Sequence, residues 1–127
     1  MTNKKMRDQA INVLLQHIAA PLVYLIEQQE AMEFIYVCDF QVKPEAVTNA
    51  EYEMAKILEK SVLLTDIHEL SILERAEVIQ QATLVRSADK GYQKLFEMES
   101  LREINSLMGK RKKMIEQKQL CGTFHLQ

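Results

Sequence analysis

The stretch S-V-L-L-T-D-I at residues 61–67, with the two patterned segments that follow it, decides the fold of this chain. Its β-branched and aliphatic residues extend over a length that is typical of a strand. Apolar residues then recur at helical spacing between Glu69 and Gln81, and Ala82 to Val85 is a last short aliphatic run. The stretch therefore predicts a strand, a helix and a second strand in succession.

The region before this unit predicts one helix and two neighbouring strands. Apolar positions between Asn3 and Ala20 fit an amphipathic helix that ends near Pro21. The runs Leu22 to Ile26 and Phe34 to Val42 are rich in aliphatic and aromatic residues, as strands are. Because the second run is nearly all apolar, we expect it at the centre of the sheet, covered on both faces.

Two further helices are predicted, one before residue 61 and one after residue 85. After Pro44, the residues Thr48 and Glu51 have the spacing of a capping box. From Asp89 a long helix is predicted on a set of apolar residues at helical spacing: Tyr92, Leu95, Phe96, Leu101, Ile104, Leu107 and Met108. Gly109 is either a stop or a weak point of this helix, and continuation of the helix from Lys110 stays open. This order indicates an α/β (α+β) class, a small mixed sheet flanked by helices.

Length and composition restrict the functions that the chain can have. With 127 residues, 47% of them hydrophobic, it can bury one core, so we take residues 1–118 as one domain and residues 119–127 as a tail. Its 16 basic and 18 acidic residues nearly cancel, so the net charge does not attract the protein to nucleic acid or anionic lipid. Neither a membrane span nor a signal peptide is apparent, so we expect a cytoplasmic protein with Cys38 and Cys121 reduced.

The order of elements from Ser61 to Ile104 carries a family likeness. A strand that ends in Asp66-Ile67 leads into an amphipathic helix, a short strand and a helix with the pair Phe96-Glu97. This run resembles the minimal, or MNT-type, nucleotidyltransferases of the polymerase-beta-like superfamily. With fewer matches the resemblance extends from Met6 to Lys118. It implies a nucleotidyltransferase-like fold.

The residues that such a family uses for chemistry are replaced in this chain. In the family, a Gly-Ser pair after the first strand approaches a triphosphate, whereas Glu27-Gln28 stands here. Two family aspartates, one residue apart, hold magnesium, but the corresponding stretch from Phe34 to Phe40 contains only Asp39. The third family carboxylate falls on Leu63, and Asp66 matches an aspartate that caps the next turn. We therefore expect no metal, no cofactor and no catalytic residue.

Two groups of polar residues are alternative candidates for chemistry. The glutamates at 27, 30 and 33, with Asp39 and Asp66, could rebuild a metal site, although a solvated connection between strands is the preferred interpretation. His68 beside Asp66 has the arrangement of a general base oriented by a carboxylate. A surface residue at a helix start is the preferred interpretation of His68.

The C-terminal half of the last helix predicts an interaction surface. Its apolar residues, among them Leu101, Leu107 and Met108, exceed what one helix face readily buries against a small sheet. Lys110 and Arg111 are the first two residues of the basic run K-R-K-K. This run either contacts phosphate groups or is a solvated helix end, and the second interpretation is preferred. These five residues are the candidate interaction residues.

The preferred function at this stage is protein binding without catalysis. Active relatives of the MNT type often work beside a small helical partner of the HEPN type, in bacterial-type toxin-antitoxin pairs, so the resemblance implies an antitoxin-like role or a homodimer. Two alternatives stay open. One is an active nucleotidyltransferase with a rebuilt metal site, and the other is a module that binds nucleotide or nucleic acid, a class of partner that the charge balance disfavours.

Overall fold

The computed structural model of the chain describes residues 4–121, and the side chains of residues 4–109. In chain order the elements are α1 (Lys4–His17), β1 (Leu22–Glu27), β2 (Ala31–Val37), α2 (Pro44–Leu58), β3 (Ser61–Asp66), a short 3-10 helix (Ile67–Glu69), α3 (Ile72–Gln81), β4 (Thr83–Ser87) and α4 (Lys90–Cys121). The predicted order of helices and strands is confirmed, and the 3-10 helix is an addition to it.

The four strands form one sheet in the order β3-β2-β1-β4. Strand β1 pairs antiparallel with both β2 and β4, whereas β2 pairs parallel with β3. The sheet is therefore mixed, as predicted, and β2 lies inside it with a neighbour on each side. Its predicted central position is confirmed.

The bounds predicted for the second strand are wrong, because β1 and β2 form a tight hairpin. The backbone N–H of Gln28 donates to the carbonyl of Ala31 at 2.9 Å, which closes the turn. Strand β2 begins at Ala31, just after this turn. It ends at Val37, because Val37 pairs with Leu22, the first residue of β1. The residues from Glu27 to Glu33 are thus mostly strand and turn rather than a loop.

The two faces of the sheet bury different cores. The first face, towards α1 and α2, includes Met32, Phe34 and Leu64. The second face, towards α3 and α4, includes Ile35 and Val37. Successive residues of a strand point to opposite faces, so the nearly continuous apolar run of β2 supplies both cores at once.

The predicted capping box of α2 does not form. A proline in the first turn starts this helix at Pro44, so Thr48 lies inside the helix and its hydroxyl donates to the Pro44 carbonyl at 3.1 Å. The capping box lies instead at α3, where Ser71 and Glu74 bond each other's backbone N–H groups. Helix α3 therefore begins at Ile72, after the 3-10 helix, and not at Glu69.

Helix α4 continues through Gly109, so of the two predicted roles of this glycine the stop is excluded. Its 32 residues make it about 48 Å long, whereas the strands of five to seven residues extend over roughly 17–23 Å. The side chains of Lys110 and Arg111 lie outside the described residues, as do those of Cys121 and His125. Within residues 4–121, each helix is too short or too polar to cross a lipid bilayer.

Candidate functional site

The candidate site lies on the second face of the sheet, at the end where the β1–β2 hairpin turns. Alternation along β2 places Glu33 on the same face as Ile35 and Val37. On β3, Leu64 belongs to the first core, so its neighbours Leu63 and Thr65 lie on the second face. The parallel register sets Glu33 beside Leu63.

A cleft of about 460 Å³ opens between this face and α3. Its floor is apolar, with Leu25, Ile26, Ile35, Leu70 and Val78, and its polar lining consists of Glu27, Glu33, Glu74, Glu77, Gln81 and Thr83. Four carboxylates therefore line one cavity. Lys60 offsets part of this charge, because its Nζ lies 3.4 Å from Glu27 Oε2.

Two of the cleft carboxylates are held by neighbouring groups. Glu33 Oε2 accepts a 2.7 Å hydrogen bond from the hydroxyl of Thr65, a residue that is almost completely buried. Glu74 accepts from the backbone N–H of Ser71 at 2.9 Å, and hydrogen bonds from Ser71 lower the pKa of Glu74 below its ordinary value. The bonds from Ser71 favour the ionised form of Glu74. With four carboxylates in its lining and Lys60 as a partial offset, the cleft is acidic.

The position of the family's phosphate-binding Gly-Ser pair is the start of the hairpin turn. The N–H of Gln28 is used inside the turn, and the Gln28 carbonyl accepts from Lys60 Nζ at 3.5 Å. The side chain beside it, Glu27, is acidic. Neither feature suits an incoming phosphate, which needs unpaired N–H groups or cations.

Asp39 lies beyond the other end of β2, outside the cleft. Its Oδ1 accepts a 3.0 Å hydrogen bond from the hydroxyl of Tyr92 on α4. Burial, followed by this bond to Asp39, raises the pKa of Tyr92 to about 12. Asp39 therefore anchors the start of α4 in this structure.

Asp66 and His68 form a local pair at the same end as Asp39. Asp66 Oδ1 accepts from the backbone N–H of His68 at 2.9 Å and lies 2.8 Å from His68 Nδ1. The predicted capping role of Asp66 is confirmed, since Asp66 is the N-cap of the 3-10 helix. The His68 side chain is largely exposed and lies outside the cleft lining.

The structure does not assemble the rebuilt metal site. Glu33 and Val37 are already about 13 Å apart along β2, and Asp39 lies further on. The glutamates of the hairpin and the pair Asp39 and Asp66 thus occupy opposite ends of the sheet. Among the residues whose side chains are described, no group of three or more His, Cys, Asp and Glu side chains is arranged to hold a metal ion.

Sequence reasoning missed the bond between Glu33 and Thr65 and the cleft residues of α3. The partners of that bond are 32 residues apart, and only the parallel pairing of β2 with β3 brings them together. It also missed the role of the Phe96-Glu97 pair. Glu97 accepts a 2.6 Å hydrogen bond from the hydroxyl of buried Tyr24, and Phe96 packs against the Tyr24 ring, so the pair fixes α4 to the sheet.

Three of the five candidate interaction residues of α4 have described side chains, and these three are only partly covered by the rest of the described chain. Leu101 and Leu107 are half-buried, and Met108 is exposed. Nearer the start of the helix, Leu95 and Met98 are also exposed. Apolar surface along α4 is therefore accessible, as predicted from its pattern.

Comparison with known proteins gives matches among solved structures. No protein-family model matches the chain, and no curated protein matches it. It is similar to a chain of the tri-AMPylated HEPN toxin in complex with MNT antitoxin from Shewanella oneidensis, with 17% identity, a TM-score of 0.73, and coverage of 90% of this chain and 96% of that one.

Two further structures give the same result. The MntA-HepT toxin-antitoxin matches with 17% identity and a TM-score of 0.73 over 91% of this chain and 97% of that one. A toxin-antitoxin with AMP-PNP matches with 17% identity and a TM-score of 0.67 over 87% and 96%. The chain thus has an MNT-type nucleotidyltransferase fold, which confirms the predicted fold.

The residues in the cleft do not fit the magnesium and nucleotide that this fold implies. Magnesium needs several hard oxygen ligands in octahedral geometry, and a triphosphate needs cations or free N–H groups. On the second face, Glu33 is bonded to Thr65 and its neighbour on β3 is Leu63. The other carboxylates of the cleft would repel the phosphates rather than bind them.

Proposed function

We propose that this protein is a non-catalytic, antitoxin-like protein of nucleotidyltransferase fold that acts by binding a small helical partner of the HEPN type. Leu63 is the observation that carries the proposal. It occupies the sheet position that corresponds to the family's third carboxylate, and 55% of it is exposed. An apolar side chain at this position cannot hold a metal ion, and with the exposed apolar side chains of α4 it adds to the surface that is open to another protein.

The charge of the cleft supports the absence of transfer chemistry. Nucleotidyl transfer depends on cations that neutralise the attacking and leaving oxygens of a polyanion. The cleft instead presents Glu27, Glu33, Glu74 and Glu77, with Lys60 in contact with the first of them. A substrate of this class would have to overcome repulsion without the metal ions that normally offset it.

The kind of partner is inferred from the similar structures. Two of them are described as an MNT antitoxin with a HEPN toxin and as the MntA-HepT toxin-antitoxin. The accessible apolar side chains of α4, with Leu63 on the sheet, offer surface for such a contact. A partnership of this type, together with the lack of a spanning helix in residues 4–121, is consistent with the cytoplasm as the compartment.

A transfer assay tests the non-catalytic part of the proposal. The protein is incubated with labelled ATP, GTP, CTP or UTP, with magnesium or manganese, and with a candidate HEPN-type protein. The Shewanella oneidensis complex, whose toxin is tri-AMPylated, is the positive control. We expect no label on either protein. Transfer of label that is lost in the Glu33→Gln variant would overturn the proposal.

Co-expression tests the binding part. A complex of fixed stoichiometry with a candidate HEPN-type protein is expected on gel filtration, and Leu63→Asp should weaken it. Thr48→Asp, an exposed change on α2 away from the second face, is the matched control. A complex that never forms, or one that both variants weaken equally, would count against this surface.

Nucleotide binding without transfer is the second candidate, because a cleft of about 460 Å³ can hold a small molecule and a similar structure is described with AMP-PNP. A ligand that binds the native state raises its melting temperature. Thermal unfolding with and without magnesium and AMP-PNP distinguishes the two functions. A shift that grows with AMP-PNP concentration favours the second candidate, and an unchanged midpoint favours the first.

A further inference from the structure

The cleft between the second face and α3 offers two kinds of surface to one guest. Its floor is apolar, whereas acidic side chains reach it from β1, β2 and α3. Glu74 and Glu77 are three residues apart, so they lie on one face of α3, and Glu33 of β2 lines the same cleft. Its volume of about 460 Å³ is within the range of roughly 300–1,000 Å³ that holds an organic group, and a metal ion needs far less. The cleft thus fits a group with an apolar body and a polar end.

The carboxylates determine the charge of that polar end. Among the described residues, the cleft carboxylates make one ion pair, between Glu27 and Lys60. Glu33 is bonded instead to the neutral hydroxyl of Thr65, and Glu74 to the backbone N–H of Ser71. Three of the four lining carboxylates thus have no ion pair with a described cation. A cationic group would be attracted to them, and an anionic group would be repelled.

Arginine is the protein side chain that matches this lining best. Its aliphatic stem can pack on apolar surface while its guanidinium stays polar, as the floor and the carboxylates of the cleft require. The carboxylates come from different elements, with Glu33 on β2 and Glu77 on α3. A planar guanidinium with several N–H donors can bond both, whereas the compact ammonium of lysine is a point charge without this geometry.

Exposed leucines beside the cleft indicate that the arginine belongs to a protein rather than to a small molecule. Leu63 is 55% exposed and pairs in register with Glu33. Leu73 is 42% exposed and lies one helical turn after Leu70, a residue of the floor. A free cation would leave both leucines in water. An arginine in a pocket, surrounded by apolar contacts that exclude water, is typical of the centre of a protein interface.

We propose that the cleft is the docking site for an arginine side chain of a protein partner. The stem of this arginine packs on the apolar floor, and its guanidinium bonds Glu33 of β2 and the carboxylates of α3. Leu63 and Leu73 contact the partner surface around it. The site rests on the proposed function for its partner of the HEPN type, and it adds the chemistry by which that partner is recognised.

Titration of the free chain with N-acetyl-arginine amide tests the cleft without any partner. In NMR spectra of the isotope-labelled protein, we expect saturable shifts of the backbone N–H signals of Glu33, Glu74 and Glu77. N-acetyl-citrulline amide has nearly the shape of the arginine probe without its charge, and it should give no such shifts. Equal binding of the two probes, or the lack of a saturable shift with the arginine probe, would overturn the proposal.

Variants of Glu77 show whether the cleft itself binds the probe. Glu77 is exposed on α3, so Glu77→Lys should fold like the wild type, which circular dichroism checks. This variant should abolish the shifts with the arginine probe, and Glu77→Gln should weaken them. Asp8→Lys is the matched control, because it makes the same change of charge at an exposed site on α1, which packs on the first face. An equal loss in Asp8→Lys would show that net charge attracts the probe, and would overturn the proposal.

A double-mutant cycle with a candidate HEPN-type protein tests the docking. Each arginine of that protein is replaced by glutamine in turn, and its affinity for the wild-type chain and for Glu77→Gln is measured. We expect one arginine whose loss weakens the complex about tenfold or more with the wild type and much less with Glu77→Gln, since groups in contact are coupled. The lack of any such arginine would overturn the proposal.

The same complex separates this site from the proposed function. If Leu63→Asp weakens the complex and Glu77→Lys does not, the arginine site is wrong and the proposed function stands. If no complex forms, the proposed function fails in its binding part, and the titration with the arginine probe decides the cleft alone. Spermidine that binds in the cleft and stays bound when the complex forms would assign the cleft to a free polyamine, and would overturn the proposal.

Discussion

The two faces of the sheet differ in what their side chains do. Among the described residues, fifteen buried apolar residues form the core of the first face and six form that of the second, so the first supplies most of the apolar burial. The second face adds three side-chain pairs to its smaller core: Glu33 with Thr65, Tyr24 with Glu97, and Tyr92 with Asp39. On the first face, Glu51 of α2 accepts from the backbone N–H of Leu64. One face therefore holds the fold together, while the other leaves an open, acidic cleft.

The comparison teaches that the number of carboxylates on a face does not define a metal site. In the cleft, Glu33 is bonded to Thr65, Glu74 to Ser71 and Glu27 to Lys60, whereas Asp39 and Asp66 lie at the opposite end of the sheet. A magnesium site needs them close together, with free lone pairs.

The largest loss of stability is expected from a charge placed in the buried part of the second face. Val37 is 2% exposed on β2, and Val37→Asp would bury an unpaired carboxylate at a cost of several kcal/mol, a large part of a small domain's total stability of roughly 5–15 kcal/mol. The variant should lose its cooperative thermal transition, as measured by circular dichroism. Leu63→Asp is the matched control on the same face, and its exposed site should keep the stability within about 0.5 kcal/mol. A folded Val37→Asp protein with an unchanged midpoint would contradict this view of the second face.

A smaller loss is expected where α4 joins the second face. Tyr24→Phe removes the donor of the bond to Glu97 and leaves that carboxylate partly buried without it, which should cost about 1–3 kcal/mol in urea unfolding. Tyr92→Phe removes the comparable but exposed bond to Asp39 and should cost less than about 1 kcal/mol. Equal losses in the two variants would mean that burial does not distinguish these anchors.

A still smaller loss of stability is expected from a substitution inside the cleft. Thr65→Val keeps the β-branched shape and removes the hydroxyl that bonds Glu33, at a cost of about 1 kcal/mol, because water in the open cleft can replace the donor. Thr48→Val, which removes an exposed hydroxyl bond on α2, is the control and should be nearly neutral. A loss as large as that of Tyr24→Phe would indicate that the cleft is closed to water.

The smallest effect concerns the cap of α3 and depends on pH. The pKa of Glu74 is lowered by hydrogen bonds from Ser71, first from its backbone N–H and then from its side chain. A lowered folded-state pKa stabilises the protein above the unfolded value, and this stabilisation is lost as the pH falls through the folded value. The difference in unfolding free energy between wild type and Ser71→Ala should therefore shrink between pH 7 and about pH 3.

Chemical unfolding at several pH values measures that difference. Glu74→Gln is the control. Because glutamine does not titrate, Ser71→Ala in this background should change the unfolding free energy by the same amount at every pH. A difference that grows on acidification would contradict the assigned direction of the Glu74 shift.

Two identical motifs show where prediction from sequence succeeds and fails. Thr48 to Glu51 and Ser71 to Glu74 have the same spacing, yet only the second forms a capping box. Pro44 begins α2 one turn earlier, so Thr48 has no free backbone N–H to cap. The motif is a local signal, and the helix start that gives it meaning depends on the neighbouring sequence.

The sequence by itself determined the element order, the central position of β2 and the presence of Glu27-Gln28 after the first strand, because apolar periodicity and residue identity are local properties. Only the tertiary structure decided that Glu33 bonds Thr65, that Glu74 and Glu77 share its cleft, and that Asp39 and Asp66 lie at the other end of the sheet. Those facts depend on strand register and helix placement, which join residues distant in the chain. A one-residue slip of β2 would have turned Glu33 into the first core, and the burial of Met32 and Phe34 prevents that slip.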